Sequence, residues 1–253
     1  MKGLLVCVSA AALALAVGLA AHPAAGGQPD PAEAELVARG RSLYLTGCST
    51  CHGLDARGQV LYGRQVPALV DSGAAAAYYY LNTGRMPLAN LDAQVDRKPP
   101  AYAPDEIRAL VAYVGSLGDG PSVPPVAPES ADLAFGGVLY RENCAPCHAA
   151  GLVGGALSYG RAAPTLSPSE PRVIASAVRV GPGQMPVFGP DVVGDAELDA
   201  IVAYVQFLQD PPARGGLPLG RAGPIPEGFV VWVFGIGAFV LAAVWIARRR
   251  SSP

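Results

Sequence analysis

The sequence predicts a mainly α-helical protein made of two similar domains in tandem, followed by a single C-terminal transmembrane helix. Three observations lead to this fold class. The pattern Cys-x-x-Cys-His occurs twice, the residues around the first copy recur around the second, and an uncharged apolar segment lies close to the C-terminus. The chain has 253 residues, which is enough for two small domains.

The chain begins with a segment that has the composition of a secretory signal. Lys2 precedes an apolar run over residues 4–21, and small residues that suit cleavage lie at its end and just beyond it. We therefore predict a signal peptide over residues 1–25. A retained membrane anchor is the alternative, because the run is nearly long enough to span a bilayer.

The two Cys-x-x-Cys-His motifs carry the chemistry of the chain. Their residues are Cys48, Cys51 and His52 in the first copy, and Cys144, Cys147 and His148 in the second. In c-type haem attachment, two thiolates with this spacing form thioether bonds with the porphyrin and the adjacent histidine ligates the iron. The motifs therefore predict two covalently bound haem c groups. A four-cysteine zinc site, a pair of disulfides and a thioredoxin-like redox motif fit less well, because a histidine follows each pair directly and no βαβ context surrounds it.

The scarcity of histidine and methionine narrows the choice of axial ligands. The chain has only three of each; His22 falls in the predicted signal segment, and one methionine is the initiator. One methionine, Met86 or Met185, therefore follows each motif within a Gly-x-Met-Pro sequence. We predict that His52 and Met86 ligate the first iron, and that His148 and Met185 ligate the second. Two filled axial positions argue against a dihaem peroxidase, which needs an open one.

An internal repeat sets the predicted domain boundaries. The matched residues are Gly40, Tyr44 and Cys48 with Gly136, Tyr140 and Cys144, then 67–69 with 164–166, and 84–87 with 183–186. Apolar residues at helical spacing also match between 107–117 and 198–208, behind acidic residues that favour a helix N-terminus. We predict haem domains over 31–120 and 130–211, joined by a proline-rich linker over 121–129.

A glycine stands four residues before a tyrosine on the first predicted helix of each copy. Because glycine has no Cβ, another helix can cross closely at that point. We predict that Gly40 packs against Tyr113 and that Gly136 packs against Tyr204. The tyrosines are then core residues rather than redox groups.

The C-terminal region has the features of a membrane anchor. Residues 229–247 carry no charge and are long enough to cross the hydrocarbon core of a bilayer. Three arginines follow directly, and the positive-inside rule places them in the cytoplasm. We predict a linker over 212–227, a transmembrane helix over 228–247 and a cytoplasmic tail over 248–253. The haem domains then lie on the extracytoplasmic side of the cell membrane, and the net charge of −2 gives no indication of nucleic-acid binding.

Each copy resembles a class I cytochrome c, with a helix, the haem motif, a proline loop, a methionine and a terminal helix. The whole mature chain resembles the dihaem cytochrome c subunit of the actinobacterial menaquinol–cytochrome c reductase, the cytochrome bcc complex. The sequences that carry this resemblance are those at 49–53, 83–87, 97–100 and 184–188, together with the C-terminal anchor.

The resemblance implies electron transfer in a respiratory complex. Electrons would pass from the Rieske iron–sulfur subunit through two His/Met haems to an aa3-type cytochrome c oxidase, beside a cytochrome b subunit. The chain is then an electron carrier when alone and part of a quinol–cytochrome c reductase in the complex. The alternative is a membrane-anchored dihaem cytochrome that accepts electrons from a periplasmic dehydrogenase.

The resemblance also implies roles for residues outside the motifs. The carbonyl oxygens of Pro67 and Pro164 are expected to accept a hydrogen bond from the proximal imidazoles. Tyrosines 78–80 either line the first haem pocket or pack in the core. Arg85 either pairs with a haem propionate or is exposed, and the Arg-Lys-Pro-Pro run at 97–100 is expected to contact another subunit.

Overall fold

The computed structural model describes residues 30–88, 95–211 and 224–250. The predicted signal peptide, His22 and most of the predicted linker over 212–227 lie outside the described residues, as do the last three residues of the predicted tail. In the described part the chain is mainly helical, with two similar units and a separate C-terminal helix.

The described residues of the first unit form four helices, and the second of these lies within the first haem motif. They are α1 (Pro31–Gly47), α2 (Ser49–His52), α3 (Gly73–Asn82) and α4 (Pro104–Gly115). A short antiparallel hairpin, β1 (Gln59–Leu61) and β2 (Arg64–Val66), follows the motif. The hairpin brings the chain from the histidine of the motif back to the Pro67 loop.

The second unit repeats this order. Its elements are α5 (Leu133–Asn143), α6 (Ala145–His148), β3 (Gly155–Ala156), β4 (Ala162–Ala163), α7 (Pro171–Val180) and α8 (Asp195–Gln209). The strands again form a two-stranded antiparallel hairpin after the motif. The sequence repeat is therefore also a structural repeat.

The helices begin at residues that satisfy their free N–H groups. The carboxylate of Asp30 accepts from the Ala32 N–H at the start of α1, and that of Asp132 accepts from two N–H groups at the start of α5. The side chains of Glu106 and Glu197 reach back to the N–H before α4 and α8, at 2.9 and 2.8 Å. These contacts fix the ends of the predicted first and terminal helices.

The first and terminal helices of each unit cross at glycines. A Cβ at Gly40 would lie 1.9 Å from the Ala109 carbonyl oxygen and 2.7 Å from the Cβ of Tyr113, as predicted. The second crossing is equivalent. A Cβ at Gly136 would lie 1.9 Å from the Ala200 carbonyl oxygen, and Ala200 stands four residues before Tyr204 just as Ala109 stands four residues before Tyr113. The Tyr204 ring packs on the neighbouring Gly137, so the predicted crossing of α5 and α8 at this glycine is confirmed.

The two units contact each other through α3 and α7. The linker between them is hydrogen-bonded to both units. The Ala75 N–H donates to the Pro121 carbonyl in the first unit, at 2.9 Å. The Ala127 N–H donates to the Asp199 carboxylate on α8, also at 2.9 Å. The linker is thus held at both of its ends.

Helix α9 (Pro224–Arg250) is the C-terminal helix of the described chain. Its stretch Gly228–Arg249 is long and apolar enough to cross a membrane, and its apolar window is not buried within the described chain. The helix extends past both ends of the predicted span of 228–247.

Candidate haem sites

Each Cys-x-x-Cys-His motif forms one tight helical turn at the end of the first helix of its unit. The N–H of Cys48 donates to the Tyr44 carbonyl, and that of Cys144 donates to the Tyr140 carbonyl, both at 2.8 Å. The first cysteine of each pair is half-buried, whereas Cys51 and Cys147 are exposed. Each turn therefore presents two cysteines and a histidine within five residues at one helix end.

The imidazole of each motif histidine is hydrogen-bonded to a proline carbonyl, as the family resemblance implies. The Nδ1 atom of His52 lies 3.0 Å from the Pro67 oxygen, and that of His148 lies 3.0 Å from the Pro164 oxygen. Because a carbonyl oxygen can only accept, Nδ1 must carry the proton. In a neutral ring Nε2 then has the free lone pair, which is the form that ligates a metal.

The electrostatics of the second motif favour neutral groups. Burial lowers the pKa of His148, which favours the neutral imidazole. The hydrogen bond to the Pro164 carbonyl raises this pKa, but its effect is smaller than that of burial. Burial also raises the pKa of the Cys144 thiol to about 11, and raises that of Cys48. Reactive redox thiols have lowered pKa values instead, so the thioredoxin-like alternative does not fit these cysteines.

The described residues also give no support to the zinc and disulfide alternatives. Among them, no three His, Cys, Asp or Glu side chains lie together in a group that could hold a metal ion. The four motif cysteines are not joined to one another. Each pair stands with its own histidine in its own unit.

Two buried tyrosine hydroxyls fix the backbone just after the histidines, a role that the sequence analysis missed. The Tyr44 hydroxyl donates to the Gly53 carbonyl, and the Tyr140 hydroxyl donates to the Ala149 carbonyl at 2.7 Å. Burial raises the pKa of Tyr44 to about 12. Their shared position, four residues before the first cysteine of each copy, was the available signal.

The first methionine loop is held by the Arg-Lys-Pro-Pro run. The Met86 N–H donates to the Tyr80 carbonyl at 3.1 Å, and the Lys98 N–H donates to the Thr83 carbonyl at 3.1 Å. The Lys98 backbone passes close to Gly84, since a Cβ added at Gly84 would lie 2.1 Å from the Lys98 carbonyl oxygen. The contacts found for this run lie within the chain, so the expected inter-subunit contact stays a prediction.

The second methionine loop is held differently, by a buried arginine that the sequence analysis missed. Arg179 on α7 donates to the carbonyls of Phe188, at 3.0 Å, and Val193, at 2.6 Å. It also donates to the Asp195 carboxylate at 2.8 Å. Because Phe188 comes three residues after Met185, these bonds restrain the loop that carries the methionine.

The methionine of each unit lies in the same environment as residues of its haem motif. In the first unit, Cys48 and Met86 pack against the same buried cluster. In the second, Cys147, His148 and Met185 line one cavity. The cavity walls are largely apolar, with Ile174 and Phe188 among the lining side chains, and these donors and walls fit a covalently bound haem.

The first unit contributes one wall of this second cavity. Tyr79, Tyr80 and Arg85 line it together with the residues of the second motif. Arg85 is only 8% exposed, which excludes the predicted surface position. Tyr79 and Tyr80 are thus placed at the second site; the sequence analysis had considered them only for the first site or for core packing.

Comparisons with known proteins agree with this architecture. The family model described as cytochrome c matches residues 37–118, and that described as cytochrome c oxidase, cbb3-type, subunit III, matches residues 131–205. The FixP subunit of the cbb3-type cytochrome c oxidase of Sinorhizobium medicae is 26% identical over 185 residues, which cover 68% of this chain and 60% of its own. The predicted fold class is confirmed: two cytochrome c-type domains, mainly helical, with one C-terminal helix of membrane-spanning length.

Two relatives match nearly the whole chain. The cytochrome bc1 complex cytochrome c subunit of Corynebacterium diphtheriae is 38% identical over 269 residues, covering 95% of this chain and 94% of its own. The protein of the same name from Mycobacterium tuberculosis is 38% identical over 249 residues, covering 94% and 88%. With the geometry of the two motifs, these matches establish that the chain belongs to the family of cytochrome bc1 complex cytochrome c subunits.

Proposed function

We propose that this chain binds two haem c groups and carries electrons within a menaquinol–cytochrome c reductase, from the Rieske iron–sulfur protein to an aa3-type oxidase. The observation that carries the proposal is the repetition of one complete donor set. Each unit holds a Cys-x-x-Cys-His turn whose imidazole Nδ1 lies 3.0 Å from a proline carbonyl, and each has one methionine in a restrained loop. The family supports the respiratory role.

The proposal assigns a role to each ligand residue. The four motif cysteines would form the thioether bonds, and His52 and His148 would ligate the irons through Nε2. Met86 and Met185 would supply the other ligand of each iron. When bound, each haem supplies one-electron redox chemistry, and His/Met ligation raises its potential above that of a bis-histidine site.

The remaining residues position these ligands and limit the access of water. The proline carbonyls fix the orientation of each imidazole, and the tyrosine hydroxyls fix the backbone that follows it. The apolar walls of the second cavity lower the local polarity, which affects the potential of a haem. We assign residues 31–120 and 130–211 as the two haem domains.

The topology completes the proposal. Helix α9 anchors the chain, its arginine-rich end lies in the cytoplasm, and both haem domains lie on the extracytoplasmic side, where a Rieske domain and the electron-entry site of an oxidase are accessible. Because both domains are on one anchored chain, no diffusible cytochrome is needed between the two complexes. The proposed partners are cytochrome b, the Rieske protein and the oxidase.

A haem count on matched variants tests the two sites. Pyridine haemochrome analysis of the purified chain should give two haems. Replacing both cysteines of one motif by serine should give one, whichever motif is changed. Met86→His and Met185→His should each remove one contribution to the Met–Fe(III) absorbance band without changing the count. A single haem in the native chain would contradict the proposal.

Purification in mild detergent tests the partners. The tagged chain should co-purify with cytochrome b, Rieske and oxidase subunits, and menaquinol should reduce its haems in that preparation. Recovery with a periplasmic dehydrogenase in their place would favour the alternative function.

A further inference from the structure

Among the described residues, the wall of the second cavity carries positive charge and no carboxylate. Three described arginines line it: Arg85 and Arg97 from the first domain, and Arg161 from the second. The described lining residues include no aspartate or glutamate. The cavity is therefore suited to a group that carries negative charge as well as apolar surface.

Arg97 joins the two domains at the edge of this cavity. Its guanidinium donates to the Pro168 carbonyl at 2.8 Å and to the Ser169 hydroxyl at 3.3 Å. With the packing of α3 on α7, these bonds hold the first domain against the mouth of the second site. The wall that the first domain contributes is thus a fixed part of the cavity.

Arg85 differs from Arg97 because its side chain is buried. It is 8% exposed, and its guanidinium carbon lies 5.0 Å from the centroid of the Tyr79 ring. Within the described ranges, no ion pair between Arg85 and a carboxylate is found. A cation–π contact offsets only part of the free-energy cost of burying a charge. An anion in the cavity would supply the missing interaction.

We propose that Arg85 of the first domain is the counter-ion for a propionate of the haem held by the second domain. The inference rests on the proposed second haem, whose propionates are the anionic groups that the cavity would receive. The planar guanidinium matches a carboxylate in shape and can donate two parallel hydrogen bonds to it. The second haem site is then completed by a residue adjacent to the methionine ligand of the first.

This placement predicts an effect on one redox potential. A fixed positive charge near a haem stabilises the reduced form, because reduction adds a negative charge. Removing the charge of Arg85 should therefore make the second haem harder to reduce. The first haem should change much less, although Arg85 is next to Met86 in sequence.

The experiment is a redox titration of the solubilised full-length holoprotein in a Met185→His background. Histidine in place of methionine lowers the potential of the second haem, which separates its titration wave from that of the first. Arg85→Gln is compared with Arg41→Gln, which removes an exposed charge on α1 of the same domain. We expect Arg85→Gln to lower the equilibrium constant for reduction of the second haem about tenfold, or about 59 mV, and Arg41→Gln to leave both waves in place.

Any one of three results would overturn the inference. The midpoint potential of the second haem could be unchanged in Arg85→Gln, that of the first haem could shift as far as that of the second, or Arg41→Gln could give the same shift as Arg85→Gln. If the glutamine variant does not accumulate, Arg85→Lys is measured in its place. Lysine keeps the positive charge but cannot donate two parallel hydrogen bonds. A downward shift of the second haem's potential that is smaller than the one expected for glutamine supports the inference, and an unchanged potential opposes it. A haem count of one per native chain would instead refute the proposed function, and it is measured before any titration.

Discussion

Replacement of Arg179 by methionine should destabilise the second haem domain and release its methionine loop. Arg179 is 7% exposed and donates to two backbone carbonyls, those of Phe188 and Val193. Methionine keeps most of the apolar length of the side chain and removes all three of its hydrogen bonds. The change therefore isolates the polar contribution of the arginine.

The expected cost comes from the two carbonyls rather than from the ion pair. The Asp195 side chain is 82% exposed, so water replaces Arg179 there and the pair contributes at most about 1 kcal/mol. A buried acceptor left without a donor costs about 1–3 kcal/mol. For two such carbonyls, one of them only partly buried, we expect the free energy of unfolding of the second domain to fall by about 2–4 kcal/mol.

Urea unfolding of the solubilised holoprotein, followed through the Met–Fe(III) band, measures both effects. In Arg179→Met the contribution of Met185 should disappear at a lower urea concentration than that of Met86. Asp195→Asn is the matched control, and its cost should stay below about 1 kcal/mol. Equal costs for the two variants would refute the reasoning, because the exposed ion pair would then be the stabilising contact. If the Met185 contribution is lost at the same urea concentration in Arg179→Met as in the native protein, Arg179 does not position the methionine loop.

Three other predictions follow from the packing, the tyrosine hydroxyls and the anchor. Gly136→Ala should lower the free energy of unfolding by about 1–3 kcal/mol in thermal unfolding, because the alanine Cβ would lie 1.9 Å from a carbonyl oxygen of α8. Gly151→Ala is the control and should be close to neutral, because no atom lies within 4 Å of the added Cβ. Burial raises the pKa of Tyr44 from 10.0 to about 12, so its stabilising effect is complete below pH 10 and is lost as the pH rises toward 12. Tyr44→Phe should therefore lower stability at neutral pH by about 1–2 kcal/mol and flatten its alkaline decline; an equally steep decline in the variant would contradict this assignment. Removal of residues 228–253 should release the haem domains from washed membranes in cell fractionation, and continued membrane attachment would show a second anchor.

The local chemistry of the sites could be predicted from the sequence because it is encoded over short distances. The motif is five residues long, and its turn forms at the end of a helix whose pattern is visible in both copies. The repeat then located the terminal helices and the close crossing at Gly40. The bond from each imidazole to a proline carbonyl followed from the family resemblance, and both bonds are present in the structure.

Contacts to backbone carbonyls and contacts between the domains could not be predicted in the same way. Arg179 bonds to two carbonyl oxygens, which every residue has, so no sequence pattern identifies them. The placement of Tyr79 and Arg85 beside the second cavity depends on how the domains pack, which a repeat does not specify.

The two methionine loops have different restraints, and this difference affects how the chain can evolve. A backbone segment covers the first loop, whereas the side chain of Arg179 holds the second. A duplication begins with identical copies, and substitutions that act on only one loop can then alter one reduction potential while the other is preserved. Under the two-haem proposal, natural selection can thus adjust the energy difference between the two electron-transfer sites by changing single residues, without rebuilding either fold.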